Sequence, residues 1–253
     1  MATALITGAS SGLGEEFAWQ LAVAGRDVVL VARSRDRLSE LADMLSGVTG
    51  VKTEVLVADL ATAEGLQAVA DRVADADRPI DLLVNNAGYG LPAGFLKTDR
   101  EQEVAALDVM VKAVLVLSHA AAPAMVARGR GAILNVASVA AWLGNSSYAA
   151  HKAWVTAFTE SIASQLRGTG VSATAVLPGL THTEFHERAN LTEYEELPQI
   201  AWLDADHVVT AALAAVRRKQ VLVTPSVRYA ALTSVVRTLP RAWVRAASRR
   251  HRT

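Results

Sequence analysis

The chain has no cysteine among its 253 residues, which excludes a disulfide framework, thiolate-bound metals and a cysteine nucleophile. A cysteine-free chain fits a reducing compartment, and the opening Ala2-Thr3-Ala4-Leu5-Ile6-Thr7 lacks the charged region of a secretory leader, so a cytoplasmic location is expected. Aromatics are scarce at 5%, so the 51% hydrophobic content must build its core largely from Ala, Val and Leu, the usual filling of a parallel sheet covered by helices. No apolar run reaches the roughly 18 residues of a membrane span, and no low-complexity linker divides the chain, so one domain is expected. Net charge is missing as well: 25 basic residues balance 25 acidic ones, which argues against a generally nucleic-acid-binding chain or an acidic disordered one. The balance is uneven along the chain. No acidic residue follows Asp206, whereas ten of the 25 basic residues lie beyond it, from Arg217 to Arg252.

What is present is an alternation of short apolar runs with segments of helical period. Strands are predicted near residues 2–7, 27–32, 52–58, 80–85, 131–137, 171–177 and 220–224, with helices near 13–24, 36–46, 62–76, 100–128, 147–167 and 205–218. Runs such as Val28-Val29-Leu30-Val31 are apolar on both faces and need cover above and below, which regular helical crossovers supply. The expected fold is α/β, a doubly wound parallel sheet. It occupies residues 1–225 and is followed by a C-terminal basic segment, 226–253. Residues 182–203, rich in Glu and without a clear strand, read either as a short functional lid or as a solvated acidic insertion.

Thr7-Gly8-Ala9-Ser10-Ser11-Gly12-Leu13-Gly14 follows the first strand and runs into the first helix. Glycines there let the chain turn sharply and bring backbone N–H groups to a pyrophosphate at a helix N-terminus, whose dipole favours an anion. At the end of the second strand, an NAD-specific site would place a carboxylate against the ribose 2′-hydroxyl. This chain has Ala32-Arg33-Ser34-Arg35 instead, and a guanidinium makes bidentate, charge-assisted bonds to a phosphate. Arg33 beside Ser34 therefore reads as a pocket for the 2′-phosphate of NADP.

Taken in order, the glycine loop, Asp59-Leu60, Asn85-Asn86-Ala87-Gly88, Ser138, Tyr148-Ala149-Ala150-His151-Lys152 and Pro178-Gly179 resemble the motif set of the short-chain dehydrogenase/reductase family, over roughly residues 2–225. The resemblance implies a Rossmann-type oxidoreductase that interconverts a carbonyl and an alcohol, and a homodimer or homotetramer built through helices 100–128 and 147–167. It implies catalytic roles for Ser138, Tyr148 and Lys152. The cofactor would be bound by Gly8, Ser10, Ser11, Gly12, Leu13, Gly14, Arg33 and Ser34, by Asp59 and Leu60 at the adenine, by Asn86, Ala87 and Gly88 at the ribose, by Tyr148 and Lys152, and by Pro178, Gly179, Thr181 and Thr183 at the nicotinamide. For Asp59, a cap of the helix that follows is the simpler alternative. A cofactor-binding regulatory protein with little turnover stays open as a second reading.

The chemistry can be argued from the residues themselves. Tyr148 and Lys152 stand four apart on a helical segment and so share a face. A phenol with a reference pKa of about 10 needs a fall of roughly three units, worth about 4 kcal/mol, to work near neutral pH. An ammonium about 4 Å away supplies on the order of 4 kcal/mol at an effective dielectric near 20, so Lys152 is expected to tune Tyr148. The phenol would then donate a proton to a carbonyl oxygen, or as tyrosinate take one from an alcohol.

Two positions depart from the family pattern. Met110 stands where an asparagine is usual, so the water-mediated proton route to the lysine is absent or differently built, or Met110 is core packing. Ser138 precedes Tyr148 by ten residues where about thirteen are commoner, shortening a wall of the substrate pocket that Trp142 and Leu143, with Leu91, would shape for an apolar substrate. His151 lies off the Tyr148–Lys152 face and is expected in solvent or at an interface. His182 and His186 have helical metal-pair spacing but no evident third ligand, so no metal is expected. Finally, Tyr229, Leu232, Val236, Leu239, Trp243 and Ala246 form an apolar stripe opposite Arg237, Arg241, Arg245 and Arg249, an amphipathic helix kinked at Pro240. It can pack on its own domain, on a second subunit or peripherally on an anionic membrane.

Overall fold

A computed structural model describes residues 2–91, 94–183 and 198–249. Seven parallel strands, β1 (Thr3–Thr7), β2 (Asp27–Ala32), β3 (Thr53–Val57), β4 (Leu82–Asn85), β5 (Gly131–Val136), β6 (Val171–Val176) and β7 (Leu222–Val223), form one sheet in the order β3-β2-β1-β4-β5-β6-β7. All seven lie within two residues of the predicted runs. Leu5 of β1 is registered with Val29 on one side and Leu83 on the other, so the chain turns from one half of the sheet to the other between β1 and β4. In such sheets ligands bind in the crevice beyond the strand ends at this switch point.

Helices α1 (Gly12–Val23), α2 (Arg35–Thr49) and α7 (Ala205–Arg217) cover one face, burying Phe17, Leu21, Leu38, Leu45, Val208 and Val209 in one core with residues of β1, β2, β4, β5 and β6. Helices α3 (Ala63–Ala74), α5 (Ala113–Ala127) and α6 (Ser147–Gln165) cover the other, where Val69, Leu117 and Met125 meet Leu5, Val29 and Leu83. Both sides of a central strand such as β2 are therefore dry, which is why its sequence does not alternate.

The predicted helix 100–128 is α4 (Arg100–Leu107) joined to α5 through a π-helical turn, Asp108–Lys112, that places Met110 at 1% exposure. By length and composition alone this helix could cross a membrane. Here its Ala113, Leu117, Ala121 and Met125 belong to the core. The C-terminal stripe forms two helices, α8 (Val227–Thr238) and α9 (Arg241–Arg249), because Pro240 has no N–H to continue the ladder. Most of the predicted lid, 184–197, and with it His186, falls outside the described residues. Its two ends are tied together by His182 N–H donating to Leu203 O at 2.9 Å and Leu203 N–H to Leu180 O at 2.9 Å.

Candidate active site

A cleft of about 1150 Å³ opens beyond the carboxyl ends of β1, β2, β4 and β5 and is lined by all but one of the catalytic and cofactor-binding residues that the sequence resemblance implies. Gly8 (φ +66°) and Gly12 (φ +58°) take left-handed backbone in the loop leaving β1, where a side chain would be strained and would press on Ala87 or Thr183. The exception is Gly14. It is buried away from the cleft, where a Cβ would collide with the Gly8 carbonyl, so it lets α1 pack against the loop and does not face the cavity.

The loop is pinned to β4 by side chains. Asn86 Nδ2 donates to the carbonyls of Thr7 (2.9 Å) and Gly8 (3.2 Å), while Thr7 Oγ1 accepts from the N–H groups of Asn86 (3.0 Å) and Ala87 (3.1 Å). Beneath it, Asn85 and Asn135, opposite each other on β4 and β5, bond at 2.9 Å, and Asn135 donates on to Thr159 of α6 at 2.8 Å. This buried chain of amides ties the cofactor side of the sheet to the helix that carries Tyr148 and Lys152.

At the far end of the cleft Arg33 and Ser34 stand with Arg37, one helical turn further on, which sequence reasoning overlooked although its i+4 spacing from Arg33 was a usable sign. Both Arg33 and Asp59 act on the Tyr89 hydroxyl, whose pKa burial raises. Asp59 is not the cap of α3: Thr62 caps it by accepting from Gly65 N–H, and Asp59 accepts from Ala61 N–H at 2.9 Å while lining the cleft.

The reacting groups converge from two elements. Ser138 stands two residues beyond β5 and caps a 3₁₀ turn, Val139–Trp142, by accepting from Ala140 N–H at 3.1 Å, and it hydrogen-bonds Tyr148. Ser146 caps α6 by accepting from Ala149 N–H at 3.1 Å, which sets the helix phase and turns Tyr148 and Lys152 toward the cleft. Lys152 is 5% exposed, donates to Val136 O at 2.7 Å, and holds its ammonium 5.7 Å from the Tyr148 ring centroid. The tuning expected from Lys152 is not what governs the phenol here. Burial pushes Tyr148 up to about 12 against the opposing Ser138 hydrogen bond, and burial brings Lys152 down to about 8. Desolvation of both side chains in the same buried pocket sets these two directions. Tyr148 is thereby a protonated donor at neutral pH.

Met110 packs against this centre. A Cβ built on Gly88 would lie 3.3 Å from Met110 Cγ and 3.5 Å from Lys152 Nζ. A thioether there offers only a weak acceptor. His151, expected in solvent or at an interface, is instead 8% exposed within the chain. Its helical position turns it toward α4, where Ser147 donates to Glu103 at 3.1 Å, and its Nδ1 finds no hydrogen-bond partner among the described residues. Burial lowers its pKa, opposed by Glu103 and assisted by Lys152. His182 stacks on Trp202 with ring centroids 4.8 Å apart. Sequence reasoning also missed Tyr229, Thr233 and Val236 of α8 as cleft-lining residues, since the stripe shows an apolar face but not what it covers.

The glycine cradle, the arginines at one end and the Ser138–Tyr148–Lys152 group at the other fit a nicotinamide dinucleotide laid across the switch point. Comparison with known proteins agrees. The short chain dehydrogenase family profile matches residues 2–194. The chain is 39% identical over 186 residues to sulfoacetaldehyde reductase 2 of Chromohalobacter salexigens, covering 72% of this chain and 73% of that protein. Among solved structures it resembles a short-chain dehydrogenase from Sphingobium yanoikuyae in complex with NADPH, with TM-score 0.85, 36% identity and 94% of each chain covered. It also resembles the bulky-bulky ketone specific alcohol dehydrogenase from Comamonas testosteroni, with TM-score 0.81, 30% identity and 96% of each chain covered. The chain belongs to the short-chain dehydrogenase/reductase family, NAD(P)-dependent oxidoreductases that interconvert carbonyls and alcohols.

Proposed function

We propose that the protein is an NADP(H)-dependent carbonyl reductase acting on an uncharged substrate with an apolar body. The observation that carries the cofactor choice is the pairing of Arg33 and Arg37 with Ser34 at the end of β2, while Asp59, the one carboxylate lining the cleft among the described residues, stands after β3 and not at the β2 end. A guanidinium there favours a 2′-phosphate, and a free ribose hydroxyl gains little from it. When bound, the cofactor supplies hydride to the carbonyl carbon. Tyr148, held protonated, gives its proton to the carbonyl oxygen, and Ser138 holds that oxygen by a hydrogen bond. Lys152 stabilises the phenolate left behind. Gly8, Ser10, Ser11, Gly12 and Leu13 cradle the pyrophosphate, Asp59 and Leu60 the adenine, Asn86, Ala87 and Gly88 the ribose, and Pro178, Gly179, Thr181 and Thr183 the nicotinamide.

Leu91, Phe95, Val139, Trp142, Leu143 and Leu180 support the apolar substrate. Among the described residues, Lys152 is the one cation lining that end, and it is held on Val136 O. A sulfonated aldehyde, which the Chromohalobacter relative is named for reducing, would meet no guanidinium among the described residues that line that end. Residues 1–225 would form the cytoplasmic enzyme's Rossmann-type unit and 226–253 its basic C-terminal segment, whose Tyr229, Leu232, Thr233 and Val236 line the same cleft. A homodimer or homotetramer would form through the faces of α4, α5 and α6, where Val104, Leu107 and Leu115 stand exposed. The test of the cofactor reading is direct titration: Arg33→Asp should weaken NADPH binding by roughly 30- to 150-fold, the loss of about 2–3 kcal/mol of charge-assisted bonding, and leave NADH nearly unchanged. Equal NADPH affinity before and after would overturn it.

A further inference from the structure

The C-terminal helix α8 lies along the substrate end of the cleft, and two sets of contacts hold it there. At its start, the Tyr229 ring occupies the space beside Gly179, where any Cβ would collide with it. Its hydroxyl accepts from Leu180 N–H at 3.3 Å and donates to Ala201 O at 2.7 Å. Arg228 adds a bond to Ile200 O at 3.0 Å. This end is therefore fastened to the loop that follows β6, beside Pro178 and Gly179. At the other end Arg237 stacks its guanidinium 4.7 Å from the Trp142 ring centroid, and Arg241, brought round by the break at Pro240, donates to Trp142 O at 3.0 Å. Trp142 closes the same 3₁₀ turn that Ser138 caps.

Between the two fastenings α8 presents Leu232, Thr233 and Val236 to the cavity. The Thr233 hydroxyl donates to Tyr229 O at 2.8 Å and Ala230 O at 3.1 Å, so its proton is already engaged within the helix. The wall thus offers a substrate apolar contact and no free donor. Trp142 lines the cavity as well as receiving both arginines, so the position of the indole, and with it the width left beside Ser138, depends on α8 being closed.

We propose that α8 is the size-determining wall of the substrate pocket, and that Arg237 and Arg241 act as a latch on Trp142 that fixes how large a substituent the pocket admits. This inference rests on the carbonyl-reductase reading and deepens it: the specificity elements for the reaction are Leu232, Val236 and Trp142, positioned by two arginines that touch no reacting atom. An arginine is suited to both halves of the latch, since its planar guanidinium stacks on an indole and still donates to a carbonyl.

The experiment measures NADPH oxidation with a graded series of aryl ketones from acetophenone to benzophenone, together with NADPH affinity by fluorescence titration. The proteins are the intact chain, Leu232→Trp, Arg237→Ala/Arg241→Ala and the conservative Arg237→Lys. Leu232 is 57% exposed and both arginines are exposed, so the substitutions do not open the core. Leu232→Trp should cut kcat/KM for benzophenone at least tenfold relative to acetophenone, chiefly through KM. The double alanine variant should move the same ratio at least fivefold in favour of the larger ketone. Arg237→Lys, which keeps a cation over the indole, should stay near the unsubstituted protein, and NADPH affinity should change less than twofold throughout. A size ratio that stays constant in both Leu232→Trp and the double alanine variant, or a uniform fall in kcat for every ketone, would overturn the wall and latch while leaving the reductase reading intact. Absence of turnover by the intact chain on every ketone, with NADPH bound, would overturn the reductase reading and this inference with it.

Discussion

Lys152 should make the folded protein less stable at neutral pH than a neutral side chain of the same length would. A fall in its pKa from 10.5 to about 8 corresponds to roughly 3 kcal/mol of burial penalty on the charged form. Lys152→Met keeps the unbranched stem and removes that penalty, but it also removes the bond to Val136 O, worth about 1.5–3 kcal/mol for a charged donor. The expected net gain is about 1 kcal/mol at pH 7, with turnover lost. The pH dependence is the sharper signature. Below about 8 folded and unfolded chains both carry the proton and the penalty is complete. Between about 8 and 10.5 the unfolded chain keeps a proton that the folded chain has released, so the stability of the unsubstituted protein rises with pH. Urea midpoints should show the difference between the two proteins shifting by about 2 kcal/mol toward the unsubstituted one between pH 7 and 9.5. A variant that is less stable by 2 kcal/mol or more at pH 7, or a difference that does not move with pH, would refute the picture of a buried, desolvated ammonium.

Gly14→Ala should destabilise the fold by about 3 kcal/mol or more and weaken NADPH binding with it, because its Cβ drives α1 away from the Gly8 carbonyl; thermal melts and a binding titration check both. Asn135→Ala should lower the urea midpoint by roughly 2–4 kcal/mol worth of stability, since it takes one partner each from Asn85, which keeps Ser118, and Thr159, which keeps Val155 O, in a buried network. A double-mutant cycle with Asn85→Ala should show strong non-additivity. A cost near zero for Asn135→Ala would mean that the amides are bridged by something other than one another.

The sheet was legible because strands buried on two faces leave runs without alternation, whereas its strand order, β3-β2-β1-β4-β5-β6-β7, came from the structure alone. The cleft was legible for a different reason: Gly8, Gly12, Arg33, Ser138, Tyr148 and Lys152 are residue types whose chemistry is tied to a strand end or a helix start. What escaped was set by packing between elements. Nothing in Asp108–Lys112 announces a shift to π-helical hydrogen bonding. His151 reads as peripheral on a helical wheel, yet α4 covers it, and covering is a tertiary fact. The Tyr229–Val236 stripe gave an apolar face correctly, but its partner, the Pro178-Gly179 loop and Trp142, is about 50 to 95 residues away in sequence. For Tyr148 helical spacing showed that Lys152 shares its face, but not how deeply both groups are buried, and burial is what raises the phenol and lowers the ammonium.

The most direct measurement follows NADPH oxidation with an aryl ketone by the intact protein and by Tyr148→Phe, with NADPH affinity determined for both. The account predicts turnover by the intact chain, a loss of at least a thousandfold in kcat for Tyr148→Phe, and cofactor affinity unchanged within about twofold. Retention of turnover by Tyr148→Phe would contradict the assignment of Tyr148 as the proton donor and the reading of the cleft built on it.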